Sequence, residues 1–166
     1  MRLDKNMNKE LGLFESLKLL PAYQMWNKQG SANQLLDLQT YQAYVARIDQ
    51  AICLIDLFWP EFIEWEGLIL RKSAFPEDWS RFRETADAAK WTPSDMEYML
   101  NRVNIADFFL NDPDRDNVDL SVYTSIAQKV AEMWECKIKM LYPDRSIEVS
   151  IVHSDIDPEV YMFVNR

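Results

Sequence analysis

The sequence predicts an α+β fold, with about four to five helices packed on a small, mainly antiparallel three-stranded sheet that includes a C-terminal β-hairpin. Three observations predict it. Several segments repeat apolar residues at three- and four-residue steps, the period of a helix with one buried face. Residues 62–70 and 147–164 instead alternate, the period of a strand. The last two alternating runs are separated only by a short polar turn, so they should pair antiparallel.

Residues 1–36 read as an N-terminal arm, and 37–166 as a single acidic α+β domain. In the arm, Leu11, Phe14, Leu17 and Leu20 make a short amphipathic helix that Pro21 ends, and Asn27 to Asn33 form a loop. The arm either packs on the domain or stays mobile. The first strong helix runs from about Thr40 to Phe58. Its stripe is Tyr41, Tyr44, Val45, Ile48, Ile52, Ile55 and Phe58, and Pro60 stops it. The period then changes to a strand over 62–70, with Gly67 marking a bulge.

A second helix covers residues 76–89, opened by Pro76. A third starts with Thr92 as cap and Pro93 at the first position, and ends near Leu110. The fourth spans about Leu120 to Tyr142, with Tyr123, Ile126, Ala127, Val130, Trp134, Ile138 and Leu141 as its stripe. Ile147, Val149 and Ile151 then begin the hairpin, Ser154 to Pro158 turn it, and Glu159 to Val164 return with Tyr161 and Phe163 on one face. The 62–70 strand is expected to join this pair.

Composition limits function. The chain has 166 residues, 48% hydrophobic and 13% aromatic, enough for a core without disulfides or metals. Its only glycines are Gly12, Gly30 and Gly67, too scattered for a phosphate-cradling loop. The formal charge is −9. Such a chain repels nucleic acid, whose binding depends on Lys and Arg, and favours a basic protein partner. The arm carries five Lys/Arg and three Asp/Glu, a net of +2, while residues 37–166 carry thirteen and twenty-four, a net of −11. The acidity thus belongs to the body. Cys53 and Cys136 are expected as buried thiols. The N-terminus lacks a signal-peptide pattern, and no apolar run approaches a membrane span. The expected location is the cytoplasm, with no membrane contact.

Three groups of polar residues stand out. Asp112, Asp114 and Asp116 resemble the start of a Ca²⁺ loop, but Asn117 stands where that loop needs Gly and Tyr123 where it needs Glu. The better reading is an acidic linker, with Asp119 capping the next helix. His153 is the only histidine, with Asp155 and Asp157 close by; this reads as a polar turn. Glu61, Glu64 and Glu66 surround Trp65 and read as a solvated acidic face or, with Trp65, a protein contact. No pair of carboxylates is singled out for hydrolysis, and no cofactor or metal is expected.

Leu57-Phe58-Trp59-Pro60-Glu61-Phe62-Ile63-Glu64, running on to Gly67, and Trp134 followed by Leu141-Tyr142-Pro143-Asp144-Arg145 and a closing strand pair carry a resemblance. Over residues 40–165 the chain resembles small acidic bacterial proteins of unknown function, some of them similar to immunity proteins of toxin systems. The resemblance implies an inhibitory binding role and assigns no site residue. The leading expectation is a non-enzymatic protein-binding domain, an immunity-type inhibitor of a basic toxin, with Glu61, Glu64, Trp65 and Glu66 or the Asp112–Asp119 loop as its contact. The alternatives are a small carboxylate- or metal-dependent hydrolase using His153, and a structural homodimer.

Overall fold

The apolar stripe of residues 120–141 organises the molecule. In a computed structural model, which describes residues 13–29, 38–153 and 157–166, this segment is helix α7 (Leu120–Leu141), 22 residues long. Tyr123, Ala127, Val130, Trp134 and Ile138 are buried along it, and Leu141 is exposed. The C-terminal hairpin packs on this stripe: β4 (Ile147–Val152) and β5 (Glu159–Val164) pair antiparallel from Ile147↔Val164 to Val152↔Glu159. Val160, Met162 and Val164 enter the same core as Trp134, with Leu57, Phe62 and Ile69. Tyr161 and Phe163 take the other face of β5, as their alternation predicts, with parallel rings 6.1 Å apart.

Residues 62–70 are not one strand. They form a hairpin, β1 (Phe62–Trp65) and β2 (Leu68–Arg71), with Trp65 paired to Leu68. Glu66 and Gly67 make the turn with φ of 49° and 77°. Two successive residues at positive φ give the backbone twist that suits a two-residue hairpin. Gly67 therefore reverses the chain instead of marking a bulge. Leu68 and Leu70 face a second core with Ala86 and Met96, while Ile69 faces the first.

Helix α5 (Trp79–Ala88) starts three residues after Pro76, with the Asp78 carboxylate accepting from the Arg81 N–H. Helix α6 (Pro93–Asn101) opens on a capping box between Thr92 and Asp95. It ends well before Leu110. Val103 and Asn104 instead form β3, paired antiparallel with Val160 and Glu159. The three-stranded sheet is therefore β3-β5-β4, and β1–β2 stand apart as a separate pair.

Side chains of α6 explain that separation. Glu97 accepts from the Ile69 and Val164 N–H groups at 2.8 and 2.7 Å. Asn101 accepts from the Arg71 N–H at 2.8 Å and donates to the Ile69 and Met162 carbonyls at 2.8 and 3.2 Å. Backbone groups that could have joined β2 to β5 are thus satisfied by a helix between them, as burial requires.

The N-terminal part contributes α1 (Leu13–Leu19), α2 (Pro21–Gln29), α3 (Leu38–Val45) and α4 (Ile48–Phe58), giving seven α-helices among the described residues. Pro21 starts α2 rather than merely closing α1; its fixed φ and missing N–H suit a first helical position. The Ser16 hydroxyl donates to the Ser125 hydroxyl on α7 at 3.0 Å. Tyr41 packs against Tyr23 and Trp26 at 5.0 and 5.9 Å. The predicted 40–58 helix is broken at Ala46 and Arg47, and beyond the break the predicted stripe is turned outward except at Phe58. Leu54, Leu57 and Phe58 face the core, while Ile48, Ile52 and Ile55 are exposed. The Trp134 indole N–H, bonded to the Leu57 carbonyl at 2.8 Å, holds this rotation. Cys53 and Cys136, expected inside, are both exposed free thiols. No described helix is long and apolar enough to cross a membrane.

Candidate functional site

The residues singled out in the sequence fall into two regions at opposite ends of α7. Glu64 meets Arg145, just beyond the C-terminus of α7, and Asp119 caps its N-terminus. A 22-residue helix spans about 33 Å. The two regions therefore cannot meet in one small contact patch.

At the first end, the β1–β2 hairpin displays Trp65 among carboxylates that are already engaged. Glu61 accepts from the Lys72 ammonium at 3.0 Å, Glu64 from Arg145 at 3.2 Å, and Glu66 from the Trp79 indole at 3.2 Å. Trp65 is exposed, with edge contacts to Phe75 and Trp79 at 5.4 and 6.4 Å. Trp79 stacks between Phe75 at 5.2 Å and Phe82 at 5.4 Å, and Phe82 touches Trp91 at 6.1 Å. Trp79 is thus consumed in ring packing while Trp65 stays exposed, and Glu61 and Glu64 are held in local ion pairs while Glu66 is held by the Trp79 indole.

At the other end, the 107–120 loop is differently provided. The Asp112 carboxylate accepts from the Asp114 N–H at 2.9 Å and shapes the first turn. A 3₁₀ turn, Arg115–Asn117, follows. Asp119 then caps α7 through the Ser121 N–H at 2.8 Å and hydroxyl at 2.6 Å, as the sequence implied. Among the described residues, no cation forms an ion pair with Asp112, Asp114 or Asp116. Phe108, Leu110 and Leu120 are exposed in the same segment. Their exposure carried no signal in the sequence, because Phe108 and Leu110 read as the end of one amphipathic helix and Leu120 as the start of the next.

The acidic end acts on neighbouring phenols. Burial is the main force pushing Tyr123 above its ordinary value; Arg115 opposes it, and Asp112, Asp157 and Asp116 add to it. Burial and then Asp112 do the same to Tyr41. Tyr123 is itself buried, its hydroxyl donating to the Arg115 carbonyl at 3.3 Å, so the position where a Ca²⁺ loop would offer its bidentate carboxylate holds a core side chain. No group of three or more His, Cys, Asp or Glu is placed to hold a metal ion among the described residues. His153 is exposed beyond β4; its neighbour Asp155 lies outside the described residues. No family model matches the chain, and no curated protein or solved structure is detectably similar to it.

Proposed function

We propose that the protein is a non-enzymatic binding domain for a basic protein, of the kind that serves as an immunity-type inhibitor of a toxin. The loop from Asp107 to Leu120 is the contact. The observation that carries this reading is the contrast between the two ends of α7. Glu61 and Glu64 already have cationic partners, whereas no ion pair within the described residues engages Asp112, Asp114 or Asp116. Exposed Phe108, Leu110 and Leu120 stand beside these acids. Apolar anchors rimmed by charge are a common composition for a protein interface, with the anchors supplying affinity and the charges orientation and encounter rate. Against a nuclease, the loop would occupy the positive cleft that otherwise holds phosphates.

The test is low-salt affinity capture with the wild type and with an Asp112→Asn/Asp114→Asn/Asp116→Asn variant. The wild type is expected to retain a basic protein that added salt releases, and the variant to lose it. Recovery of no basic protein, or equal retention by the variant, would sink the reading.

A further inference from the structure

We infer that the outer face of α4 is a docking strip for a basic amphipathic helix of a partner protein. This rests on the reading that the partner is basic and adds the shape it presents. Ile48, Ile52 and Ile55 follow one another along α4 at steps of four and three residues, and Trp59 stands four further on, just past the helix end. The three isoleucines are 84%, 65% and 63% exposed, and Trp59 is 37% exposed with the Lys137 ammonium 5.2 Å over its ring. That spacing is the seam along which one helix packs beside another. The side of α4 bearing Leu54, Leu57 and Phe58 is already used by the core. Helix α4 is thus apolar on two opposed sides, one filled and one open. Contiguous exposed apolar surface of this kind marks a contact with a partner.

Charge selects the occupant. Asp49 and Asp56 lie one heptad apart on the same flank of the strip. Arg47 engages Asp49 at 3.0 Å; Asp56 has no ion pair among the described residues, although its charge acts on buried Arg71. Two copies of this chain paired antiparallel through the strip would fold this flank onto itself, bringing Asp49 of each against Asp56 of the other. Each copy also carries a formal charge of −9. Opposed like charges disfavour that pairing, and an anionic bilayer surface is repelled for the same reason. A helix with Lys or Arg beside its apolar seam meets both demands.

The experiment uses the full chain and two synthetic helical peptides with the same apolar seam, one flanked by Lys and one by Glu, followed by fluorescence anisotropy. The Lys peptide is expected to bind and the Glu peptide to bind much more weakly. Ile52→Asp should weaken the Lys peptide roughly tenfold or more, the size of an interface hot-spot loss. An Asp49→Lys/Asp56→Lys variant should reverse the preference, and circular dichroism should show both variants folded. The inference is overturned if neither peptide binds, if Ile52→Asp binds like the wild type, or if flanking charge makes no difference. A wild-type dimer that Ile52→Asp dissociates in sedimentation velocity would assign the strip to a second copy. Binding to anionic vesicles lost in Ile52→Asp would assign it to a membrane. The Asp112/Asp114/Asp116 variant separates the two readings. Loss of capture by that variant alongside an inert strip sinks only this inference.

Discussion

Arg166 grips Glu97 with both arms of its guanidinium, Nη1 to Oε2 at 2.8 Å and Nη2 to Oε1 at 2.9 Å, around a carboxylate with no solvent exposure. Because the same carboxylate accepts from Ile69 on β2 and Val164 on β5, one side chain of α6 ties the two sheets together. Arg166 extends the tie by donating to the Gly67 carbonyl at 2.8 Å. The Glu97 hydrogen bonds hold the guanidinium above its ordinary value against the opposing effect of burial.

Removing either member of this pair should destabilise the fold, but unequally. Glu97→Ala leaves two backbone N–H groups and a guanidinium without their acceptor, at a cost of about 3–5 kcal/mol. Arg166→Ala should cost less, about 2 kcal/mol, because its side chain is 33% exposed and water replaces part of what is lost. Urea unfolding of both variants and of the double variant measures this, and the double should cost less than the sum. A Glu97→Ala variant close to wild-type stability would contradict the assignment.

Trp134→Phe should loosen α4 selectively. The change removes the donor to the Leu57 carbonyl at 2.8 Å and shrinks the ring lying 5.1 Å from the Arg71 guanidinium. Arg71 is buried and its Nε has no acceptor among the described residues, so the indole face is a main source of compensation there. The expected loss is about 2–4 kcal/mol. Hydrogen exchange should quicken in Ile48–Phe58 more than in α6. Equal quickening in both helices would show that the indole does not hold α4.

Acid should unfold the protein partly through its helix caps. The Asp119 carboxyl is held below its ordinary value by the Ser121 hydroxyl and then by the Ser121 backbone N–H. The Thr92 hydroxyl and backbone N–H lower Asp95 in the same way. A carboxyl lowered in the folded state binds its proton more weakly there than in the unfolded chain. Its contribution is therefore present above the unfolded value of about 4, and fades as pH falls from there through the lower folded value. Asp119→Asn keeps a capping acceptor without a titrating group. It should match the wild type near neutrality and show a shallower acid decline in the urea midpoint. An unchanged acid slope would remove Asp119 from the cause.

Local features were legible in the sequence because local physics makes them. The Thr92 and Asp119 caps, the C-terminal hairpin and the buried Trp134 each follow from a few neighbouring residues. The Glu66–Gly67 turn was half legible. Gly67 marked a special backbone position, but the positive φ of Glu66 that completes the reversal has no sequence signature. The candidate loop was legible by its aspartates. Its exposed Phe108, Leu110 and Leu120 were not, because an apolar residue at helical spacing looks the same whether it faces a core or water.

The sequence by itself determined an acidic body of mixed helices and strands, the long stripe of α7 and the places where several helices begin. Tertiary structure alone decided which side of α4 faces inward and which strand completes the sheet. The reason is competition for shared groups and space. Residues of α4 are apolar on two sides, and the bond from Trp134 to Leu57 chooses one of them. The backbone edges of β2 and β5 could have joined each other, but Glu97 and Asn101 satisfy them first, so β3 takes the place beside β5.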